Sequence, residues 1–419
     1  MGYSVSCHLR RAAQPLAIAL LSTICLADTI LVDASNGPGT DYTDLPQAVQ
    51  AASHNDLILV KSGGYSPFTT AKGIRILGLE TNVEVSGTCV IQNLHSTRKF
   101  VLQRLELSNV EVRNCSGHVA LSHVDGYPRL RSVVISDSAD VRLSDLFVYG
   151  REGDAQAVEI TASEVEIVRS QVRGWTGPHE NWDYVGASGT TGLLIDEASR
   201  VRLSLTEIEG GSGTDVWTEW GWYEPGDGAP AVHVKGASEL WITGDGTQVF
   251  QGGHCGWAGQ FADTPGDGSV ALFVEENSSV RRSGVTCQGG WGPSSWQPDQ
   301  VTTTGGTVEE PATADSAMEM IGTPSAGQTM TMRVTGPPGG NVRYLLGRIP
   351  EVNYLGGLGP DLLVEIRIVN PGVIPASGVL DYSFVIPGNL PQGMYFLGQA
   401  KVVYQGDTYR TSSQVILVR

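Results

Sequence analysis

Basic residues are scarce in this chain. Lysine and arginine number 27 of 419 residues against 44 aspartates and glutamates, and charged residues of all kinds reach only 17%. A field of that sign repels polyanions, which excludes nucleic acid as a partner. Six cysteines occur with no C-x-x-C pair, which removes the usual structural zinc sites. Long apolar runs are missing too: beyond residue 26 none approaches the ~18 residues of a membrane-spanning helix. No phosphate loop, dinucleotide fingerprint or Ser-His-Asp order is readable. Glycine is plentiful at 53 residues, yet it follows no three-residue period along the chain, so a collagen-like fibre is excluded. Hydrophobic residues at 41% are too many for a disordered polymer.

Residues 1–27 read as an export signal. Arg10 and Arg11 precede an apolar stretch at 16–26 that is too short to cross a bilayer, and Ala27 is a plausible cleavage point. The expected product is a monomer that is secreted, periplasmic or at the cell surface, with no transmembrane segment. Loss of the signal leaves 25 basic residues of the 27, still against 44 acidic ones. It also leaves Cys89, Cys115, Cys255 and Cys287, and an oxidising compartment favours disulfides over thiols.

An apolar strand at 29–33 opens the fold, followed by a turn through Asn36-Gly37-Pro38-Gly39. Leu45, Ala48, Val49 and Ala52 then fall at helical spacing, with Asp44 as N-cap, and residues 56–60 alternate as a strand. From about 70 to 290 the pattern repeats. A serine stands two or three residues before a branched apolar residue in Ser138-Ala139-Asp140-Val141, Ser163-Glu164-Val165, Ser199-Arg200-Val201, Ser238-Glu239-Leu240 and Ser278-Ser279-Val280. Counted from Val119, the intervals are 22, 24, 36, 39 and 40 residues. A basic unit of ~22–24 residues with three short strands is one coil of a parallel β-helix.

The longer intervals hold insertions after the same strand, beginning at Gly174, Gly210 and Gly252, with a fourth after Gln288. Insertions at one position of consecutive coils emerge along one edge, where repeat proteins place function. The chain therefore divides into a signal at 1–27, a β-helix at 28–296 with four insertions, a Thr/Gly/Glu-rich linker at 297–315 and an antiparallel β-sandwich at 316–419. Cys89 and Cys115 lie 26 residues apart and Cys255 and Cys287 lie 32 apart, each near one coil, so Cys89–Cys115 and Cys255–Cys287 are the expected bridges.

The opening, Asp33-x3-Gly37-x-Gly39-Thr40-x-Tyr42-x2-Leu45-x2-Ala48-Val49 followed by Asp56-x-Ile58-x-Val60-x2-Gly63-x-Tyr65, resembles that of pectin-lyase-like proteins. With the coil repeat, the resemblance covers about residues 29–290. It implies an all-β chain built on a right-handed parallel β-helix with a short N-terminal capping helix. That fold hosts lyases, hydrolases, esterases, epimerases and non-enzymes. The family's catalytic sets are missing: no Asp-Asp pair occurs, and the nearest histidine context is Gly253-His254-Cys255. The sandwich resembles the tails of other exported bacterial proteins.

The insertions concentrate one chemistry. They hold eight of the nine tryptophans: Trp175, Trp182, Trp217, Trp220, Trp222, Trp257, Trp291 and Trp296. Carboxylates accompany them, Asp183 and Glu219 among them, and no lysine or arginine occurs in any of the four. Sugar rings stack apolar C–H faces on aromatic rings while carboxylates accept their hydroxyls. A polysaccharide, neutral or bridged by calcium, is the expected partner. Pro-Gly-Asp-Gly recurs at 225–228 and 265–268, and stacking would make Asp227 and Asp267 neighbours able to share a calcium ion. No cofactor is required. His179 and His254 lie in insertions with no nucleophile at motif spacing, so they read as surface polar residues, with a general base as the alternative, and Arg281-Arg282 reads as an outward pair on a solvated face. Two readings stand. One is a β-helix that binds, and as a lyase or glycoside hydrolase processes, an extracellular polysaccharide; the other is a non-catalytic envelope or adhesion protein.

Overall fold

The computed structural model of the chain describes residues 28–124, 130–151, 153, 156–177, 186–215, 225–256, 266–292, 300–310, 317–322, 325–347, 353–355, 359–361, 367–388, 395–404, 407–410 and 414–417. Through residue 310 the described chain winds as a parallel β-helix, with one 14-stranded and one 10-stranded sheet. One coil shows the plan. Val141–Ser144 lies in the larger sheet, the chain turns at Asp145 (φ 55), and Phe147–Tyr149 follows. Gln156–Thr161 then crosses into the smaller sheet, and a second corner at Ala162 (φ 48) returns it. Val141, Leu143, Leu146, Val148, Val158 and Ile160 point inward and are buried.

Each inward residue stacks on its counterpart one coil away. Val119, Val141, Val165, Val201, Leu240, Val280 and Val308 pair in unbroken parallel register. That row is the one whose spacing defines the repeat in the sequence. Its serines have a specific task. The residue before each one, Asp137, Ala162, Ala198, Ala237 or Asn277, is held at φ 48 to 61, a left-handed conformation that costs a residue with a Cβ roughly 1–2 kcal/mol. The buried serines offset this with a hydrogen-bonded ladder. Ser138 N–H donates to Ser163 Oγ (3.0 Å), Ser163 N–H to Ser199 Oγ (3.2 Å), Ser199 N–H to Ser238 Oγ (3.2 Å) and Ser238 N–H to Ser278 Oγ (3.3 Å). Ser199→Ala leaves the buried Ser163 N–H without its acceptor. The expected loss is about 1–3 kcal/mol in chemical denaturation; an unchanged midpoint would show that the ladder contributes nothing.

The N-terminal end of the stack is covered by the helix Leu45–Ala51, which buries Leu45, Ala48 and Val49. Asp44 caps it through Oδ1, accepting the Leu45 N–H at 2.8 Å, and Pro46 sits in the first turn, where its missing N–H is not needed. At the other end Lys72 Nζ donates to the carbonyls of Val49, Gln50 and Ala52, which the short helix leaves open.

Part of the stretch expected to be a linker extends the stack. Val301–Thr304 pairs in parallel with Leu272–Glu275, and Thr307–Glu309 pairs with residues 279–281. Arg281 and Arg282 are also not both outward. Arg282 occupies the inward row of Leu203 and Ile242, its side chain is 15% exposed, and its guanidinium meets Glu310. A two-residue alternation sends adjacent residues to opposite faces, so only Arg281 can point out.

The expected disulfides are absent: Cys89, Cys115, Cys255 and Cys287 are free thiols. Cys89 faces the coil interior and stacks on Val110, so Cys115 lies five residues past its counterpart, at a corner. Cys287 stacks on Phe250, and Cys255 again lies five residues beyond, in an insertion. Burial pushes the Cys89 thiol up to about 11, which suits a side chain that packs as an apolar group.

Beyond the stack, two antiparallel sheets pack face to face. One holds Ala317–Ile321, Thr329–Thr335 and Val379–Val385; the other holds Arg367–Val373, Asn341–Gly347, Tyr395–Tyr404, Asp407–Arg410 and Gln414–Leu417. Met332, Val334, Val342, Tyr344, Ala400 and Val402 form their shared core, within which Tyr344 Oη donates to the Met332 carbonyl at 3.0 Å. Among the described residues no helix is long and apolar enough to cross a membrane.

Candidate functional site

Val172, Ile208, Phe250 and Cys287 stack in one inward row of the larger sheet. The insertions leave two residues after each of them, so their bases stand one above the next. Gly174 N–H donates to the Glu209 carbonyl, Gly210 N–H to Gln251 and Gly252 N–H to Gln288, each at 2.8 Å. Outgoing segments at 174–177, 210–215, 252–256 and 289–292 form one layer, and returning segments at 186–190, 225–230 and 266–270 form a second.

Two of the candidate tryptophans belong to these bases. Trp175 is half-buried, and its main-chain N–H donates to Thr190 Oγ1 at 2.7 Å. Trp291 is 59% exposed, with its ring 6.4 Å from that of His254 in an edge-on contact. Trp182, Asp183, Trp217, Glu219, Trp220, Trp222, Trp257, Trp296 and His179 lie outside the described residues. His254 has a structural assignment. Its Nδ1 accepts the main-chain N–H of Trp291 at 2.8 Å, and burial lowers its pKa, which favours the neutral ring that such acceptance requires.

Asp227 and Asp267 are neighbours, as the recurring Pro-Gly-Asp-Gly implies, but they meet as rungs of a ladder: Asp227 Oδ1 accepts the main-chain N–H of Asp267 at 2.8 Å. Among the described residues no three metal-ligating side chains converge. The field here is negative. Burial raises the pKa of the Cys255 thiol, and the carboxylates of Asp215, Asp267 and Asp227 raise it further. Such a surface accepts hydrogen bonds from hydroxyls and repels a bare polyanion.

A second feature lies on the outer face of the larger sheet, where a cleft of about 300 Å³ is bordered by Asp140, Glu164, Glu166, Arg200, Arg202 and Trp241. Ala120, Arg142, Glu166, Arg202, Trp241 and Arg281 form a single outward row. Arg142 Nη1 donates to Glu166 Oε2 at 3.0 Å, and the Arg202 guanidinium lies 5.6 Å from the Trp241 ring centroid. Reading single motifs misses this row; its signal is the residue that follows each repeat valine or leucine. Opposite charges alternate through Arg142, Glu166 and Arg202, which is the cross-strand pattern of a stabilised sheet face.

The fold and its edge define a parallel β-helix with insertions stacked on one side. The chain matches no protein-family model and no curated protein.

Proposed function

We propose that this is an exported, pectin-lyase-like β-helix protein that binds an extracellular polysaccharide along its insertion edge. One observation carries the reading: four insertions rich in tryptophan and acid, without a single lysine or arginine, leave successive coils at one position in register. Coils stacked at ~4.8 Å give a strip of roughly 15–20 Å, the length of about three or four sugar units. Exposed Trp291 offers a stacking face, and the negative field around Asp215, Asp227 and Asp267 favours a neutral glycan, or an acidic one bridged by calcium. The C-terminal sandwich serves as an accessory or attachment module.

The reading is tested on a glycan array with the purified chain, with and without calcium. The Trp217→Ala, Trp220→Ala, Trp222→Ala triple variant is expected to lose at least about tenfold in affinity while keeping its coil β-signal by circular dichroism. Product analysis on the bound glycan then decides between binding and cleavage. A chain that binds no glycan under either condition would make the non-catalytic envelope reading the correct one. That alternative draws support from His254, whose Nδ1 is engaged by a main-chain N–H.

A further inference from the structure

The insertion bases are neither sheet nor loop. In 210–215, successive N–H groups point in three directions. Gly210 and Gly213 donate to the Gln251 and His254 carbonyls of the next coil, Gly211 and Thr214 donate to Thr190 and Ala187 in the returning layer, and Ser212 donates to Thr176 Oγ1 of the preceding base. The next base repeats the scheme. Gly252 and Cys255 donate to Gln288 and Trp291, Gly253 and Gly256 to Ala229 and Gly226, and His254 to Ser212 Oγ. The returning segments obey the same rule: Gly228 donates to Asp267, Gly226 and Ala229 to Thr214 and Gly211, and Asp227 to Ser188 Oγ. A β-strand has two lateral partners and a period of two. These segments have a period of three and up to four partners, which is the geometry of extended three-residue-per-turn chains packed side by side.

The glycines follow from that packing. None of those in the bases has a positive φ, so backbone conformation does not call for them. Space does. A Cβ at Gly211 would stand 1.8 Å from the Trp175 carbonyl oxygen, at Gly213 1.8 Å from that of Gly226, at Gly253 1.8 Å from that of Gly211, and at Gly256 1.9 Å from that of Thr214. Each Cα therefore lies no farther than about 3.3–3.4 Å from that carbonyl oxygen, within reach of a Cα–H···O contact. Locally the glycines do recur every third residue, as in Gly174/Gly177, Gly186/Gly189/Gly192, Gly210/Gly213 and Gly253/Gly256. The absence of such a period along the whole chain conceals it.

We propose that the seven segments form one cooperative two-layer bundle, and that Gly211, Gly213, Gly226, Gly253 and Gly256 are positioning residues that hold the four insertions as a single ligand-facing unit. The role toward ligand rests on the proposed binding edge; the bundle itself does not. Amide hydrogen exchange on the unliganded chain separates the two. The N–H groups of residues 211, 213, 214, 226, 229, 253 and 256 are expected to be protected to the level of the coil strand Arg200–Ser204. In Gly253→Ala these amides are expected to lose protection together, by about tenfold or more, with the coil strands unchanged. Gly64→Ala, where a Cβ meets nothing within 4 Å, is the control. Ser212→Ala adds no atom, removes the acceptor of the His254 N–H, and supplies the same comparison if Gly253→Ala does not fold. Wild-type amides that exchange as an unprotected peptide, or a Gly253→Ala effect confined to that residue's own contacts, would overturn the bundle. Loss of glycan binding in Gly253→Ala with a chain that binds glycan in the wild type extends the result to function; protected amides without any glycan binding would leave the bundle standing and remove the proposed ligand.

Discussion

Arg142→Ala is expected to destabilise the β-helix by about 3–5 kcal/mol, because it strands a buried carboxylate. Arg142 lies on an outward row of the larger sheet, yet it is only 2% exposed and its Nη1 lies 3.0 Å from Glu166 Oε2. Removing the guanidinium leaves Glu166, only 11% exposed, without the group that donates to its Oε2, and Arg202 is then the cation left beside it in the row. Replacing both partners with leucine removes the charge along with its partner, so Arg142→Leu/Glu166→Leu is expected to recover most of the loss. Chemical denaturation of the two singles and the double closes the cycle. A single variant within a few tenths of wild type would show that water reaches the pair and that the face is open.

Phe250→Ala is expected to cost about 3–5 kcal/mol through a cavity. The ring is fully buried between Ile208 of one coil and Cys287 of the next, in the row from which every insertion departs. Parallel coils cannot close on a void in one layer without shifting the backbone of both neighbours, so little relaxation is available. Phe250→Leu, which keeps most of the volume, is expected to lose much less. Equal losses for the two substitutions, measured by thermal or urea unfolding, would mean that the row is not close-packed.

Much of this architecture was legible in the residue order. The Val119-to-Val280 spacing, the recurrent serine, the Asp44 cap and the helix beginning at Leu45 are each decided by local alternation, local helical spacing or local capping, and each stands where expected. The position of the insertions was equally legible, since a count of residues between repeats locates them. The failures share a cause. Pairing Cys89 with Cys115, and Cys255 with Cys287, takes chain distance as spatial register, but a left-handed corner residue such as Asn114 at φ 53 resets which side chain faces inward, and both pairs miss by five residues. Arg282 turned inward because its neighbour took the outward face, and Val301–Thr304 joined the stack because Leu272–Glu275 presented an unpaired edge. The sequence by itself determined the coil, its inward rows and the edge from which the insertions leave. Only the tertiary structure decided that the glycine-rich bases pack in two layers with a three-residue period, since the atoms that forbid a Cβ at Gly211 or Gly253 belong to segments tens of residues away.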